Sequence, residues 1–256
     1  MLNILEYGAA TDQPDLLIVH GLYGSGRNWG AVAKRLAQGR RVISVDQRNH
    51  GQSPWHASHS YEDMAADLAE VITAQGAPMD VLGHSMGGKA AMVLALQNPD
   101  LVNRLIVADI APVAYEHDQS QHIQSMRAVD LTQVNKRSDA MAQLAKTVDD
   151  TTLQSFFTQS LDLKEQRWRL NLDALEANMP KILSFPEVSG EFARPTLFLS
   201  GANSDYVLPQ HRPTIRAHFP KARFAKITGA GHWLHAEKPR EFITSVAAWL
   251  DHAPVS

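Results

Sequence analysis

The chain has 256 residues, 44% of them hydrophobic, with a net charge of −3 and no cysteine. That is enough apolar material for one full core and too little clustered basic charge to track a nucleic acid. It leaves no thiol for a disulfide, a thiolate metal site or a cysteine nucleophile. The lack of cysteine fits a reducing compartment. The opening Met1 to Glu6 has neither the basic region nor the long apolar run of a signal peptide. No apolar stretch approaches a membrane span, so a cytoplasmic protein with no membrane partner is expected.

Short apolar runs alternate with helical patterns along the chain. Leu16 to Val19 reads as a buried strand, followed by a Gly-rich loop, Gly21 to Gly26, and a helix face marked by Trp29, Val32, Ala33 and Leu36. Val42 to Val45 is the next strand. Tyr61 to Ala74 is an amphipathic helix with Met64, Leu68, Val71 and Ile72 on one side. Met79 to Leu82 and Leu105 to Ala108 are further strands, with a helix over Met86 to Leu96 between them. Thr196 to Leu199 and Arg223 to Ile227 are strands separated by a helix near Gln210 to His218, and Pro239 opens a last helix that runs to Leu250. Runs that are continuously apolar, rather than alternating, indicate parallel strands covered on both faces. The order indicates an α/β architecture, a doubly wound and mostly parallel sheet.

Between Val113 and Ser189 the alternation stops. Helical patterns appear at Ile123 to Val129, Ala140 to Val148, Leu153 to Leu161 and Trp168 to Leu175, with no strand among them. Residues 1–112 and 190–256 are therefore expected to form the core, and 113–189 a helical insertion. Ligands of such sheets bind beyond the carboxyl ends of the strands, and the insertion begins just past one such end, at Asp109. A lid over a site is the expected role, against a subdomain packed elsewhere.

Gly83-His84-Ser85-Met86-Gly87-Gly88 sits between a strand and a helix. G-x-S-x-G in that position is a nucleophile elbow: the serine stands on a strained turn, and glycines flank it because side chains there would collide. A serine hydroxyl needs a base, and the base needs an orienting group. His232, in Gly229-Ala230-Gly231-His232-Trp233 after the last strand, is placed to be that base. His235 reads as a surface or helix-start residue. Asp109 and Asp205 both follow strands and both fit a Ser, acid, His order. The backbone N–H groups of Leu22 and Met86 are expected to form the oxyanion hole. His20 is expected to fix its loop, and His84 to point away from the hydroxyl. Leu22, Met86, Tyr206 and Trp233 are expected to line the substrate pocket. Met126, Arg127, Phe156 and Trp168 could reach in from the insertion, although core packing is the alternative for the aromatics. No metal or organic cofactor is needed.

With these residues in place the chain resembles the α/β-hydrolase fold over nearly its full length. His20-Gly21 is similar to that family's HG loop, Asp46-Gln47-Arg48-Asn49-His50-Gly51-Gln52-Ser53 to its DxRGxGxS loop with Asn49 where glycine is usual, and Gly231-His232-Trp233 to its terminal histidine motif. Most members carry the acid three positions after the glycine of the loop that follows Leu199. Here that position is Ser204, and Asp205 is one residue late; a one-residue shift at a strand end turns a side chain in another direction. Asp46 to Pro54, Ala108 to Val113 and Gly201 to Ser204 more narrowly resemble the bacterial YbfF-type esterases and their animal relatives. That resemblance implies Asp109 as the acid, with the serine matching Ser204 joining the site. Asp205 departs from the pattern, and keeps a second acid in play. The resemblance implies hydrolysis of carboxylic esters, with acyl-CoA thioesters among the suggested substrates; a monomer or small homo-oligomer is expected. The alternatives are a cofactor-free perhydrolase or C–C hydrolase on the same triad, or a ligand receptor without turnover.

Overall fold

The computed structural model describes residues 1–116 and 119–254. Its strands are β1 (Ile4–Tyr7), β2 (Leu16–Val19), β3 (Val42–Val45), β4 (Met79–His84), β5 (Val102–Ala108), β6 (Leu161–Asp162), β7 (Arg167–Trp168), β8 (Thr196–Gly201) and β9 (Ala222–Ile227). Seven of them form one sheet in the order β1-β3-β2-β4-β5-β8-β9. Every pairing in it is parallel except β1 with β3, where Ile4 stands opposite Val45.

Both faces of the sheet are covered, which is why its central strands read as unbroken apolar runs. Leu17 and Val19 of β2 face one core, with Tyr61, Met64 and Leu68 from the helix Tyr61–Gln75 and Met92 from the helix Met86–Gln97. Leu16 and Ile18, one residue out of phase, face the other core. There they meet Val32 and Leu36 of the helix Gly30–Leu36 and Phe242, Val246 and Leu250 of the helix Pro239–His252. The edge strand β1 was not foreseen. Its sequence, Ile-Leu-Glu-Tyr, is only partly buried, so it carries neither a continuous nor an alternating apolar signal.

The segment between β5 and β8 holds helices at Ser120–Arg127, Arg137–Leu144, Thr151–Gln159, Leu172–Ala177 and Met179–Leu183. It also holds an antiparallel ribbon, β6 against β7, where no strand was expected. Trp168 belongs to that ribbon rather than to the start of a helix. The carboxylate of Asp162 builds the turn by accepting from the N–H groups of Lys164 and Glu165. Two-residue strands are too short to print a period, so only the tertiary structure reveals them. The helix that follows starts at Leu172, where the Asn171 side chain accepts from the Ala174 N–H.

Candidate active site

Three strand ends and one loop converge above the carboxyl edge of the sheet. Ser85 follows β4 directly and is the residue before the helix Met86–Gln97. Its φ of 52° and ψ of −122° place it in a region that a side chain rarely occupies. The turn is possible because of its glycines. A Cβ on Gly83 would lie 2.3 Å from the carbonyl oxygen of Gly87, and one on Gly87 2.4 Å from that of His20. Both obstacles are backbone, so neither can swing aside.

Asp109 follows β5 and also has positive φ, 51°. Its side chain is fully buried, and its carboxylate is fully engaged. Oδ1 accepts from the Gly201 N–H at 3.0 Å, and Oδ2 accepts from the Ser204 hydroxyl at 2.5 Å. Oδ2 also meets His232 Nδ1 at 2.8 Å, while His232 Nε2 lies 3.0 Å from Ser85 Oγ. A carboxylate only accepts, so Nδ1 carries the hydrogen and Nε2 offers its lone pair to the serine hydroxyl. Ser85, His232, Asp109 and Ser204 thus form one hydrogen-bonded series. A hydroxyl whose proton can pass to an oriented, neutral imidazole is equipped to attack an electrophilic carbon. Asp205 is exposed, and its charge helps to raise the Tyr206 phenol above the usual range, after burial as the main cause.

The loop bearing His232 is held from below. The Glu237 carboxylate accepts from the N–H of Gly231 at 2.7 Å and of Trp233 at 3.2 Å, the residues on either side. The His84 Nε2 donates to the His232 carbonyl at 2.9 Å. Burial, first of all, holds the His84 ring well below the usual histidine range. His235 does open a short helix, Leu234–Glu237, but its ring is not on the surface. It stacks on Trp29 with centroids 4.2 Å apart, and burial pushes its pKa down to about 3. Proximity to His232 in sequence suggested solvent; the Trp29 face from a distant helix covers it.

The loop after β2 lies against the Ser85 turn: a Cβ on Gly21 would be 3.2 Å from Ser85 Cβ. His20 braces this loop, as expected. Its Nδ1 donates to the Gly21 carbonyl at 2.8 Å and its Nε2 accepts from the Gln47 N–H at 2.9 Å. His50 does the same one residue beyond Leu22, with Nε2 accepting from the Tyr23 N–H at 3.2 Å and Nδ1 donating to the Arg48 carbonyl. Tyr23 needs such a brace, because its φ is 63°. Met86 opens its helix, so its N–H is one of the first-turn donors without an intrahelical partner.

A cavity of about 260 Å³ opens over Ser85, lined among others by Leu22, Met86, Leu153, Phe156, Tyr206 and Trp233. Phe156, from the inserted region, meets Trp233 edge to face at 4.4 Å. Met126 and Arg127 do not line it. Met126 is fully buried in the inserted region, its carbonyl accepting from Trp168 Nε1, and Arg127 pairs with Asp173 and Glu176. From the same helix His122 lines the cavity; Met126, one turn further along that face, packs inside the inserted region instead. Tyr61, Tyr115 and Lys89 are among the lining residues that the sequence did not point to. Lys89 had a signal, being the only charged residue in the otherwise apolar helix Met86–Gln97. Its ammonium donates to the carbonyls of Leu183 and Ser184 and lies over the Tyr115 ring. Among the described residues no group of histidine and acidic side chains is arranged to hold a metal, and no helix is long and apolar enough to cross a membrane.

Residues 14–239 match the model of the alpha/beta hydrolase fold family. The chain is 42% identical, over 97% of its length and 84% of the other, to the mouse (Mus musculus) protein named sn-1-specific diacylglycerol lipase ABHD11. It is 36% identical to the esterase YbfF of Escherichia coli, over 92% of each chain. A solved structure described as a marine microorganism esterase superposes with a TM-score of 0.91 at 38% identity, covering 96% of this chain and 98% of that one. The chain belongs to the alpha/beta hydrolase fold family.

Proposed function

We propose that this protein hydrolyses carboxylic esters or thioesters of short- to medium-chain acids, acyl-CoA among them, through a Ser85–His232–Asp109 triad. Ser85 Oγ attacks the acyl carbonyl as His232 Nε2 takes its proton. Asp109 holds the imidazole and stabilises the charge it acquires. The N–H groups of Leu22 and Met86 receive the oxyanion, a contribution on the order of 10²–10³ in rate for each donor. The alcohol or thiol leaves with the proton from His232. Water, deprotonated by the same nitrogen, then releases the acid and restores the serine.

The observation that carries the reading is the unbroken hydrogen-bonded series from Ser85 Oγ through His232 to Asp109 Oδ2. The relatives agree in class, since both a diacylglycerol lipase and an esterase cleave oxygen esters. The apolar and aromatic cavity over Ser85 suits an acyl chain of modest length, with residues 113–189 as its lid.

Intact-mass analysis after treatment with a fluorophosphonate probe tests the reading without knowledge of the substrate. One adduct is expected, on Ser85, absent in Ser85→Ala and lost or greatly slowed in His232→Ala. A panel of p-nitrophenyl esters and acyl-CoA thioesters then gives the chain length and leaving group. A folded protein that forms no adduct and turns over no ester would sink the proposal.

A further inference from the structure

The Tyr206 ring lies flat against the His232 imidazole, with centroids 4.0 Å apart and planes 20° from parallel. The other rings near His232 meet it differently: His84 at 4.9 Å and 40°, Trp233 at 6.2 Å and 80°. An aromatic face carries negative electrostatic potential and attracts a cation set over it. A neutral imidazole gains little from that field; an imidazolium gains more. In the mechanism above, His232 is neutral in the free enzyme and positively charged while the proton of Ser85 rests on Nε2.

The ring is held in place from the root of the inserted region. The Tyr115 hydroxyl donates to the Tyr206 carbonyl at 2.7 Å and accepts from the Ala111 N–H at 2.9 Å, and the two tyrosine rings lie 5.0 Å apart. The Ser204 hydroxyl, already on Asp109, accepts from the Tyr206 N–H at 3.3 Å. Ala111 is two residues beyond Asp109. One side chain, Tyr115, therefore ties the strand end that carries the acid to the loop that carries the ring.

We infer that Tyr206 is a positioning residue that acts through His232: its π face stabilises the imidazolium formed in the transition state, while Asp109 stabilises it in the ring plane. The inference rests on the triad reading. The titratable and charged groups around His232 are Asp109 on Nδ1, His84 and His235 beside it, Glu237 on the N–H groups of the residues either side, and Asp205 in the loop of Tyr206. The substitutions below leave all of these in place.

The experiment compares wild type, Tyr206→Phe, Tyr206→Leu and Tyr206→Met by the pH profile of kcat/KM for p-nitrophenyl acetate and by fluorophosphonate labelling. Circular dichroism checks that each is folded. Loss of the face is expected to lower kcat roughly 3- to 30-fold. It should also move the acid limb of the profile down by about half to one and a half pH units, the span of a cation–π contact. Tyr206→Phe keeps the face and should stay close to wild type in both. An acid limb that stays put in Leu and Met variants overturns the inference even if kcat falls, because that is what mere misalignment would do. A Phe variant as impaired as the Leu variant also overturns it, by assigning the effect to the hydroxyl. Should Tyr206→Leu fail to fold, Tyr206→Met, which fills similar space without a ring, decides alone. Wild type that is not labelled at Ser85 overturns the triad reading itself, and is distinguishable from labelling that persists with an unmoved acid limb.

Discussion

Two acids satisfied the chain order, and a single backbone conformation separates them. With φ at 51°, Asp109 turns back over the end of β5, where the Gly201 N–H, the Ser204 hydroxyl and His232 Nδ1 all reach its carboxylate. A buried carboxylate is tolerated when its lone pairs are filled in this way. Asp109→Asn keeps the shape but offers His232 a hydrogen-bond donor or a weaker acceptor, and favours the wrong tautomer. A loss on the order of 10⁴ in kcat is expected, by analogy with serine-protease triads. Asp205→Asn, at an exposed position, should change kcat by less than about threefold, a surface-scale effect. Steady-state kinetics on the two variants checks this; a crippled Asp205→Asn beside a mild Asp109→Asn would reverse the assignment. Ser204→Ala should fall between, since it removes one of three partners from Asp109.

At the scale of elements, the inserted region is fastened to the core at its far end as well as at its root. The short helix Met179–Leu183 ends against the core: Lys89 Nζ donates to the Leu183 and Ser184 carbonyls, and the Tyr61 hydroxyl donates to the Ile182 carbonyl at 2.6 Å. Donors, and a cation above all, suit a helix carboxyl end with its unsatisfied carbonyls. Holding an ammonium there is costly, and burial lowers the Lys89 pKa to about 7. In the unfolded chain the same lysine titrates near 10.5. Between those values the unfolded state binds more protons, so the contribution of Lys89 to stability rises with pH from about 7 to about 10. A neutral amine still donates to both carbonyls. The melting temperature of wild type relative to Lys89→Met is therefore expected to increase between pH 7 and pH 9, by several degrees for a chain of this size. An offset identical at both pH values would mean that Lys89 keeps its proton.

For the molecule as a whole, the histidines set the acid limit. His20, His50, His59 and His84 are buried and the His235 ring is packed under Trp29, and in each case desolvation is the main cause of a lowered pKa, reaching about 3 for His59 and His235. All five are neutral in the fold, and the hydrogen bonds of His20 and His50 use the neutral ring, with Nε2 as acceptor. Unfolded, each would take a proton near pH 6.5. Their contribution is fully present above that value and is lost as pH falls below it, toward the folded pKa. The slope approaches about 1.4 kcal/mol per pH unit for each ring. Thermal unfolding followed from pH 7 to pH 5, above the range where carboxylates titrate, should show a steep fall in melting temperature. A flat profile over that window would contradict the buried neutral rings. Two of the five, His20 and His50, brace the loop that carries Leu22, so activity in the proposed reaction should fail together with stability.

Much of this molecule was legible in one dimension. The central strands, the helices that flank them and the turn around Ser85 come from local signals: apolar runs, 3.6-residue spacing, and glycines where a Cβ would strike backbone. The order of Ser85, the acids and His232 could be read along the chain for the same reason, since each follows a strand end. What only the tertiary structure decided depends on segments far apart in sequence. Strand β1 exists because β3 offers it an edge, and the β6–β7 ribbon because a side chain folds its turn. His235 is covered by Trp29, Met126 and Arg127 are taken up by packing and ion pairs within the inserted region, and Tyr115 reaches Tyr206 across 91 positions. Local chemistry determines which elements form and where chain reversals occur. The direction of a side chain at a strand end, and the ring that settles on an imidazole, are determined by packing among elements that no sequence window contains.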